Sequence, residues 1–436
     1  MTAGAPLQLI LRFTIPLFLG NAFQQLYNMA DSIIVGKYVG AKALAAVGST
    51  GTIMFLVLGI AMGMTTGFSV MTSQYYGAKN NQYVRYSVTN GIIMSLLFGI
   101  LLTLVSLFIM PTLLHLMNTP DDIYPEALIY IRIICLGTIA TLFYNLFSSF
   151  LRAIGNSKVP LFFLVFSACL NIILDLILII GLKLGVSGAA SATVISQGVA
   201  ALLCAVFIIT KVDVLRPNSN DWHLEKNCCI KQLSIGIPMS LETGITASGT
   251  LIMQTALNVY GTLSIAGSTA AYKVINLMTQ GLYSIGQTMA SYSGQNFGAN
   301  DISRIKSGTR SAMFLCIIYS LVTASIGAVF LEPIIQLFFS DAVSITDIMP
   351  WAVIAHHECA AAYITLGAIF VYRNTLQGCG YSVQAMAMGV FELAARISMA
   401  VLSIHVHSYP LAIAADAAAW VTAGILGYIL YRKLIV

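Results

Sequence analysis

Charge is what this chain is short of. Only 8% of its 436 residues are Asp, Glu, Lys or Arg, against 58% hydrophobic residues, and the mean hydropathy is +0.87. A water-soluble protein of this length is excluded, because so little polar surface cannot cover so much apolar mass. A disulfide framework is missing as well. Cys135, Cys169, Cys204, Cys316 and Cys359 lie inside apolar stretches and read as packing residues, while Cys228-Cys229 has neither a CxxC spacing nor nearby ligand pairs. No phosphate loop, nucleotide motif or Ser/His/Asp constellation follows from the spacings, so an ATP-driven mechanism has no support. The start of the chain lacks a basic segment, short apolar core and small-residue cleavage site. Its first apolar run is therefore expected to be a permanent span and not a cleaved signal.

Long uncharged apolar runs are abundant, for example 43–78, 86–120, 184–210, 243–272, 274–300 and 311–331. A helix needs about 20 such residues to cross a hydrocarbon core of about 30 Å. Membrane strands would need short alternating segments, and these runs do not alternate. The expectation is an all-α membrane protein of 12 transmembrane helices, over 10–36, 45–75, 87–110, 123–151, 160–181, 187–210, 233–259, 266–295, 309–331, 347–376, 384–404 and 411–433.

Those spans fall into two six-helix repeats. Ile15-Pro16 recurs as Ile237-Pro238, Val39-Gly40-Ala41 as Tyr260-Gly261-Thr262, and Gln74 to Ala78 as Gln295 to Ala299, at offsets of 221 or 222. Leu151 to Ser157 answers Leu376 to Ser382 at an offset of 225. The expected lobes are 1–215 and 233–436, joined by a polar cytoplasmic linker at 216–232, with a central cavity between them. Pro16 and Pro238 fall early in the first span of each repeat. Proline removes a backbone hydrogen bond there, which makes a hinge, although a helix start tolerates proline without one.

The net charge of +5 reads as topology, with no nucleic acid implied. Most of the basic residues, including Arg12, Lys79, Arg152, Lys211, Arg304, Arg373 and Arg432, fall at the termini or in even-numbered connections. Lys37, Lys42 and Lys183 fall outside, and Arg132, Lys273 and Arg396 within spans. The positive-inside rule then places both termini of a multi-pass membrane protein in the cytoplasm. The acids Asp121, Asp122, Glu126, Asp341 and Asp347 fall at outside connections.

An ionised carboxylate at the bilayer centre costs on the order of 3 kcal/mol, so such groups face a protein interior or a watery cavity. Asp31 and Asp175 are in this position. Gln24 precedes Asp31 by two helical turns on the same face, Asn171 precedes Asp175 by one, and Thr193 offers a hydroxyl. Carboxylate, amide and hydroxyl oxygens together form either an oxygen cage for Na⁺ or a proton site; a buried network that merely locks helices is the bland alternative. The second repeat has replaced them: Gln24, Asp31, Asn171, Asp175 and Thr193 align with Ile245, Ile252, Arg396, Ala400 and Ala418.

Other membrane-embedded ionisable groups are Glu242, Lys273, Glu358, Glu392, Arg396 and Asp416. Glu392 and Arg396 have the i,i+4 spacing of an intrahelical structural ion pair. Glu242 and Glu358 are candidates for contacting a cationic substrate, or for pairing internally with Lys273. Tyr272, Met278 and Tyr283 would add adaptable cavity wall. Asp416 reads as a packing acid near the membrane edge. His356-His357-Glu358 lacks the second histidine of a zinc motif, because Ala361 stands in its place, so an intramembrane metalloenzyme is only a distant alternative. No cofactor is expected, and no metal beyond Na⁺ at the cation site.

Asn28 to Gly36, Leu151 to Ser157, Asn171 to Asp175 and Arg373 to Gly378 resemble signatures of the multidrug and toxic compound extrusion (MATE) family. The match spans both repeats and is similar to the prokaryotic DinF-like branch, whose N-lobe cation site corresponds to Gln24, Asp31, Asn171, Asp175 and Thr193. The resemblance implies alternating access between two lobes and antiport of small organic molecules, cationic or amphipathic, against H⁺ or Na⁺, by a monomer in the lipid bilayer. A flippase of lipids or lipid-linked sugars is the related alternative. Other branches place coupling acids in the second lobe, a pattern that Glu242 and Lys273 do not reproduce.

Overall fold

A computed structural model describes residues 1–117, 119–336 and 345–436. Asp341, counted above among the outside acids, lies outside the described residues. The described residues are helical throughout, in α1 (Pro6–Tyr38), α2 (Ala41–Ser49), α3 (Gly51–Gly77), α4 (Asn81–Leu116), α5 (Tyr124–Leu136), α6 (Thr138–Ala153), α7 (Lys158–Asp175), α8 (Val186–Lys211), α9 (Lys226–Leu257), α10 (Thr262–Gly298), α11 (Ile302–Gln336), α12 (Ile345–Ala361), α13 (Tyr363–Gly378), α14 (Ser382–Val406) and α15 (Tyr409–Leu434). Taking α5–α6 and α12–α13 as broken pairs and α2 as a short preface to α3, they form the 12 rods expected. Eight helices are long and apolar enough to span a membrane by themselves, and the two broken pairs bring the total to ten. The other two rods, α9 and α10, are more polar along their length. Outward faces carry bare apolar side chains such as Phe108, Leu202 and Val329, which suits a hydrocarbon surround and not water.

The two expected unbroken spans at 123–151 and 347–376 are in fact bent, by 44° at Gly137 and by 48° at Ala362. At Gly137 the cause is packing: a Cβ there would stand 2.1 Å from Cγ2 of Val194 on α8. Only glycine permits that approach, and the helix breaks where it is made.

The repeat is visible in the backbone. Gly40 and Gly261, Lys79 and Asn300, and Gly155 and Gly380 are pairs at the repeat offsets, and all six have positive φ. Left-handed turns disfavour ordinary side chains, so paired turns of this kind mark a duplicated path.

Two compact units result, one of Leu19–Thr243 and one of Met1–Phe18 with Gly244–Val436. They are called the N-unit and C-unit below. Helix α1 passes from one unit to the other just beyond Pro16, and α9 does so just beyond Pro238. Within the N-unit, the first half of α9 is fastened by backbone contact. A Cβ on Gly67 of α3 would meet Cα of Gly236 at 2.4 Å, and one on Gly63 would meet Cα of Ser240 at 2.7 Å. The buried Gln232 side chain donates to the carbonyls of Phe68 (3.2 Å) and Ser87 (2.8 Å). The N-unit core gathers Phe68, Leu146, Phe150, Leu151 and Cys204. Within the C-unit, the start of α1 joins α10 through the Thr14 and Thr288 hydroxyls at 2.8 Å. Its core is built on Leu282, Met289, Tyr292, Cys316, Tyr363 and Leu376.

Candidate functional site

Three helices of the N-unit each contribute an i,i+4 pair of polar side chains: Tyr27 and Asp31 from α1, Asn171 and Asp175 from α7, and Thr193 and Gln197 from α8. That spacing puts both members of a pair on one face. Close approach of α7 and α8 is secured by the Ser167 hydroxyl donating to the Ser196 carbonyl at 2.9 Å. Small residues assist, with Gly188 set against the backbone of Leu178. Directly after Asp175 the backbone widens into a π-helical turn, Leu176–Gly181. Such turns re-aim side chains and recur at functional positions.

Asp175 and Asn171 are fully buried and Asp31 nearly so. The two carboxyl groups are close enough to influence each other directly. Asn171 donates its amide to the Thr193 hydroxyl at 3.5 Å, and that hydroxyl donates in turn to the Ala189 carbonyl at 3.2 Å. Tyr27 is near Gln197, and Tyr130 of α5 is in the electrostatic neighbourhood of both acids. What remains is a set of buried acceptor oxygens without hydrogen-bond donors: Oδ1 of Asp31, Oδ1 of Asn171, both carboxylate oxygens of Asp175 and Oε1 of Gln197. Neither acid has an ion-pair partner among the described residues.

Leaving buried oxygens unpaired costs about 1–3 kcal/mol each, and more when they are charged. A small hard cation or a proton between them would remove that cost, so the donor set suits such a guest. Gln24 is half-buried two turns before Asp31 and takes no part in these hydrogen bonds. Tyr27, Tyr130 and Gln197 were not foreseen. Gln197 carried the same signal as Asp175, one turn beyond an expected site residue on the same face.

The C-unit holds a different cluster. Glu392 and Arg396 do pair, at 2.9 Å, but as the middle of a longer buried chain. Arg373 donates to the other oxygen of Glu392 at 2.7 Å, and Arg396 Nε donates to Asp416 at 2.7 Å. Tyr272 donates its hydroxyl to Asp416 at 2.7 Å. Three expectations change accordingly. Arg373 belongs to no cytoplasmic connection and is buried in α13, Asp416 is an ion-pair partner and not a lone packing acid, and Tyr272 commits its hydroxyl to this cluster. In each case the partner lies on another helix, where local spacing gives no warning.

Of the other expected contact residues, Tyr283 is partly exposed and edge-on to Phe370 at 5.6 Å, and Met278 is half-buried beside the C-unit core. Glu242 is buried, Lys273 is exposed, and both have partners. Glu358 is half-buried, with one carboxylate oxygen buried and unpartnered. His356 is buried while the exposed His357 turns to the Val353 carbonyl, their rings nearly perpendicular. No group of three His, Cys, Asp or Glu able to hold a metal occurs among the described residues.

The MatE family model matches residues 16–177 and 238–402, one match in each repeat. Over 396 residues the chain is 29% identical to YpnP of Bacillus subtilis, named a probable multidrug resistance protein, covering 90% of this chain and 86% of that one. It is 25% identical over 339 residues to NorM of Thermotoga maritima, similarly named, covering 76% and 72%. A solved structure of a multidrug resistance MATE family transporter of the MOP superfamily, in its outward-facing conformation, shares the fold with a TM-score of 0.93 at 23% identity, covering 99% and 96% of the two chains. With both repeats matched, the chain belongs to the MATE family: it is a multi-pass membrane transporter and not an enzyme.

Proposed function

We propose that this transporter exports small organic compounds, cationic or amphipathic, in exchange for H⁺ or Na⁺, working by alternating access in the cytoplasmic membrane with both termini inside. The names of its relatives, which are multidrug resistance and multidrug export proteins, support the substrate class. The observation that carries the coupling reading is the set of unpartnered buried oxygens on Asp31, Asn171, Asp175 and Gln197.

Two buried carboxylates repel each other strongly in a poor dielectric. A cation or proton bound between Asp31 and Asp175 removes the repulsion and draws α1 toward α7 and α8, with Asn171, Thr193 and, in a rearranged α1, Gln24 supplying neutral oxygens. Helix α1 is the element positioned to respond, because Pro16 lies next to the point where it changes units; Pro238 is placed similarly in α9. Coupling then needs only that the two conformations differ in ion affinity. Glu242 in the N-unit and Glu358 in the C-unit are the proposed contacts for cationic groups, Lys273 is a proposed contact of opposite charge, and Met278 and Tyr283 supply soft apolar surface that tolerates varied shapes.

Replacing Asp31 by Asn keeps the shape and removes the charge. Gradient-driven export by reconstituted Asp31→Asn protein, purified as a folded monomer, is expected to vanish. Export at the parent rate would overturn the assignment.

A further inference from the structure

The two repeats solve the same electrostatic problem in opposite ways. In the N-unit, Asp31 and Asp175 are buried with no counter-charge among the described residues. In the C-unit, two buried carboxylates, Glu392 and Asp416, are balanced by two buried guanidinium groups, Arg373 and Arg396. The repeat offset of 225 places Arg396 at the position of Asn171, the residue that stands one turn before Asp175. Arg396 is 5% exposed and reaches both acids at once, Glu392 through Nη2 at 2.9 Å and Asp416 through Nε at 2.7 Å. Helix α9 makes room for it. A Cβ on Gly249 of α9 would stand 2.9 Å from Nη1 and 3.2 Å from Cδ of Arg396, so glycine there leaves room for the guanidinium. The offset of 221 sets Gly249 opposite Asn28, on the same turn of the first span as Asp31.

We propose that Arg396 is a tethered cation. Its guanidinium holds in the second repeat the place that the coupling ion takes in the first, joining α14 to α15 permanently and leaving the C-unit with no exchangeable ion. The comparison with a coupling ion rests on the function proposed above, whereas the guanidinium-for-cation replacement concerns the C-unit alone. Removing the side chain should therefore expose a cation site formed by Glu392, Asp416 and the Tyr272 hydroxyl. A planar guanidinium ion is its best guest, because the acids are arranged for a two-sided donor.

The test uses full-length protein in detergent with Asp31→Asn and Asp175→Asn in every arm, so that the N-unit site cannot contribute. Thermal unfolding is followed in low-millimolar guanidinium chloride, far below denaturing levels, against choline chloride at equal ionic strength. Arg396→Ala is expected to lower the midpoint by roughly 5–10 °C, since it leaves buried charge uncompensated. Guanidinium should restore most of that loss in a saturable way and choline should not, while the parent carrying Arg396 responds to neither. Failure of guanidinium to restore stability would overturn the proposal. So would equal restoration after Glu392→Gln and Asp416→Asn are added, because the anions would then be irrelevant. Should Arg396→Ala not survive extraction, Arg396→Gln extracted with guanidinium present throughout reads the same point: recovery of monodisperse protein supports it, and no recovery overturns it. A failed coupling assignment in the N-unit would leave each of these outcomes unchanged.

Discussion

Asn171 donates to the Thr193 hydroxyl and leaves its own amide oxygen without a donor, on the turn that ends at Asp175. The direction of that hydrogen bond matters. An amide held this way presents an oxygen beside the acids, which attracts positive charge and repels negative.

Gln197 offers the same chemistry from α8, and it is the addition that the structure makes to the site. Gln197→Leu would remove one neutral acceptor while preserving volume. The expected result is an ion requirement raised about tenfold, the equivalent of roughly 1.4 kcal/mol, with the maximal export rate maintained. The ion dependence of export in proteoliposomes measures this.

Gly67 and Gly236 bring α3 and α9 into backbone contact within the N-unit. Gly67→Ala would force a Cβ onto the backbone of Gly236, whereas Gly236→Ala meets the movable Met64 sulfur at 2.8 Å. The first is expected to destabilise by about 1–3 kcal/mol and the second by less. Thermal unfolding in detergent ranks the two variants.

Pro16 interrupts the hydrogen-bond ladder of α1. In Pro16→Ala the ladder can close, which recovers up to about 3 kcal/mol of helix stability, and the helix should then resist bending. Thermal stability is expected to be unchanged or raised while export slows. A variant with export at the parent rate would remove the hinge role.

Asp301, in the connection before α11, accepts from the Ser303 hydroxyl at 2.7 Å and from the Arg304 backbone N–H at 3.0 Å. These bonds, the Ser303 hydroxyl first, hold its carboxyl below the usual range. The stabilisation is present at neutral pH and is lost as pH falls through the lowered folded value. The gap in unfolding temperature between parent and Asp301→Ala should therefore be open at pH 7 and narrow below about pH 4.

Much of this arrangement could be read from residue order alone. Apolar runs of bilayer length locate most of the helices, though not the breaks within them or the more polar α9 and α10, and the twin prolines and twin glycine turns carry the duplication. Asp31, Asn171 and Asp175 stand out because a membrane makes such residues expensive. What escaped was tertiary in origin. The bend at Gly137 depends on Val194 from another helix, and Arg373 looks like a loop residue until Glu392 meets it from α14. Asp416 is explained by Arg396 and Tyr272, each on another helix. Gln197 was within reach of the same helical spacing that identified Asp175, but an uncharged glutamine attracts less notice than an acid.

The claim that export is driven by an ion bound at Asp31 and Asp175 is tested most directly by substrate efflux from proteoliposomes, with a Na⁺ gradient and a pH gradient imposed one at a time. At least one gradient is expected to drive export by the parent protein, and neither to drive it in Asp175→Asn. Export that proceeds equally fast with no gradient, or that survives intact in Asp175→Asn, would contradict it.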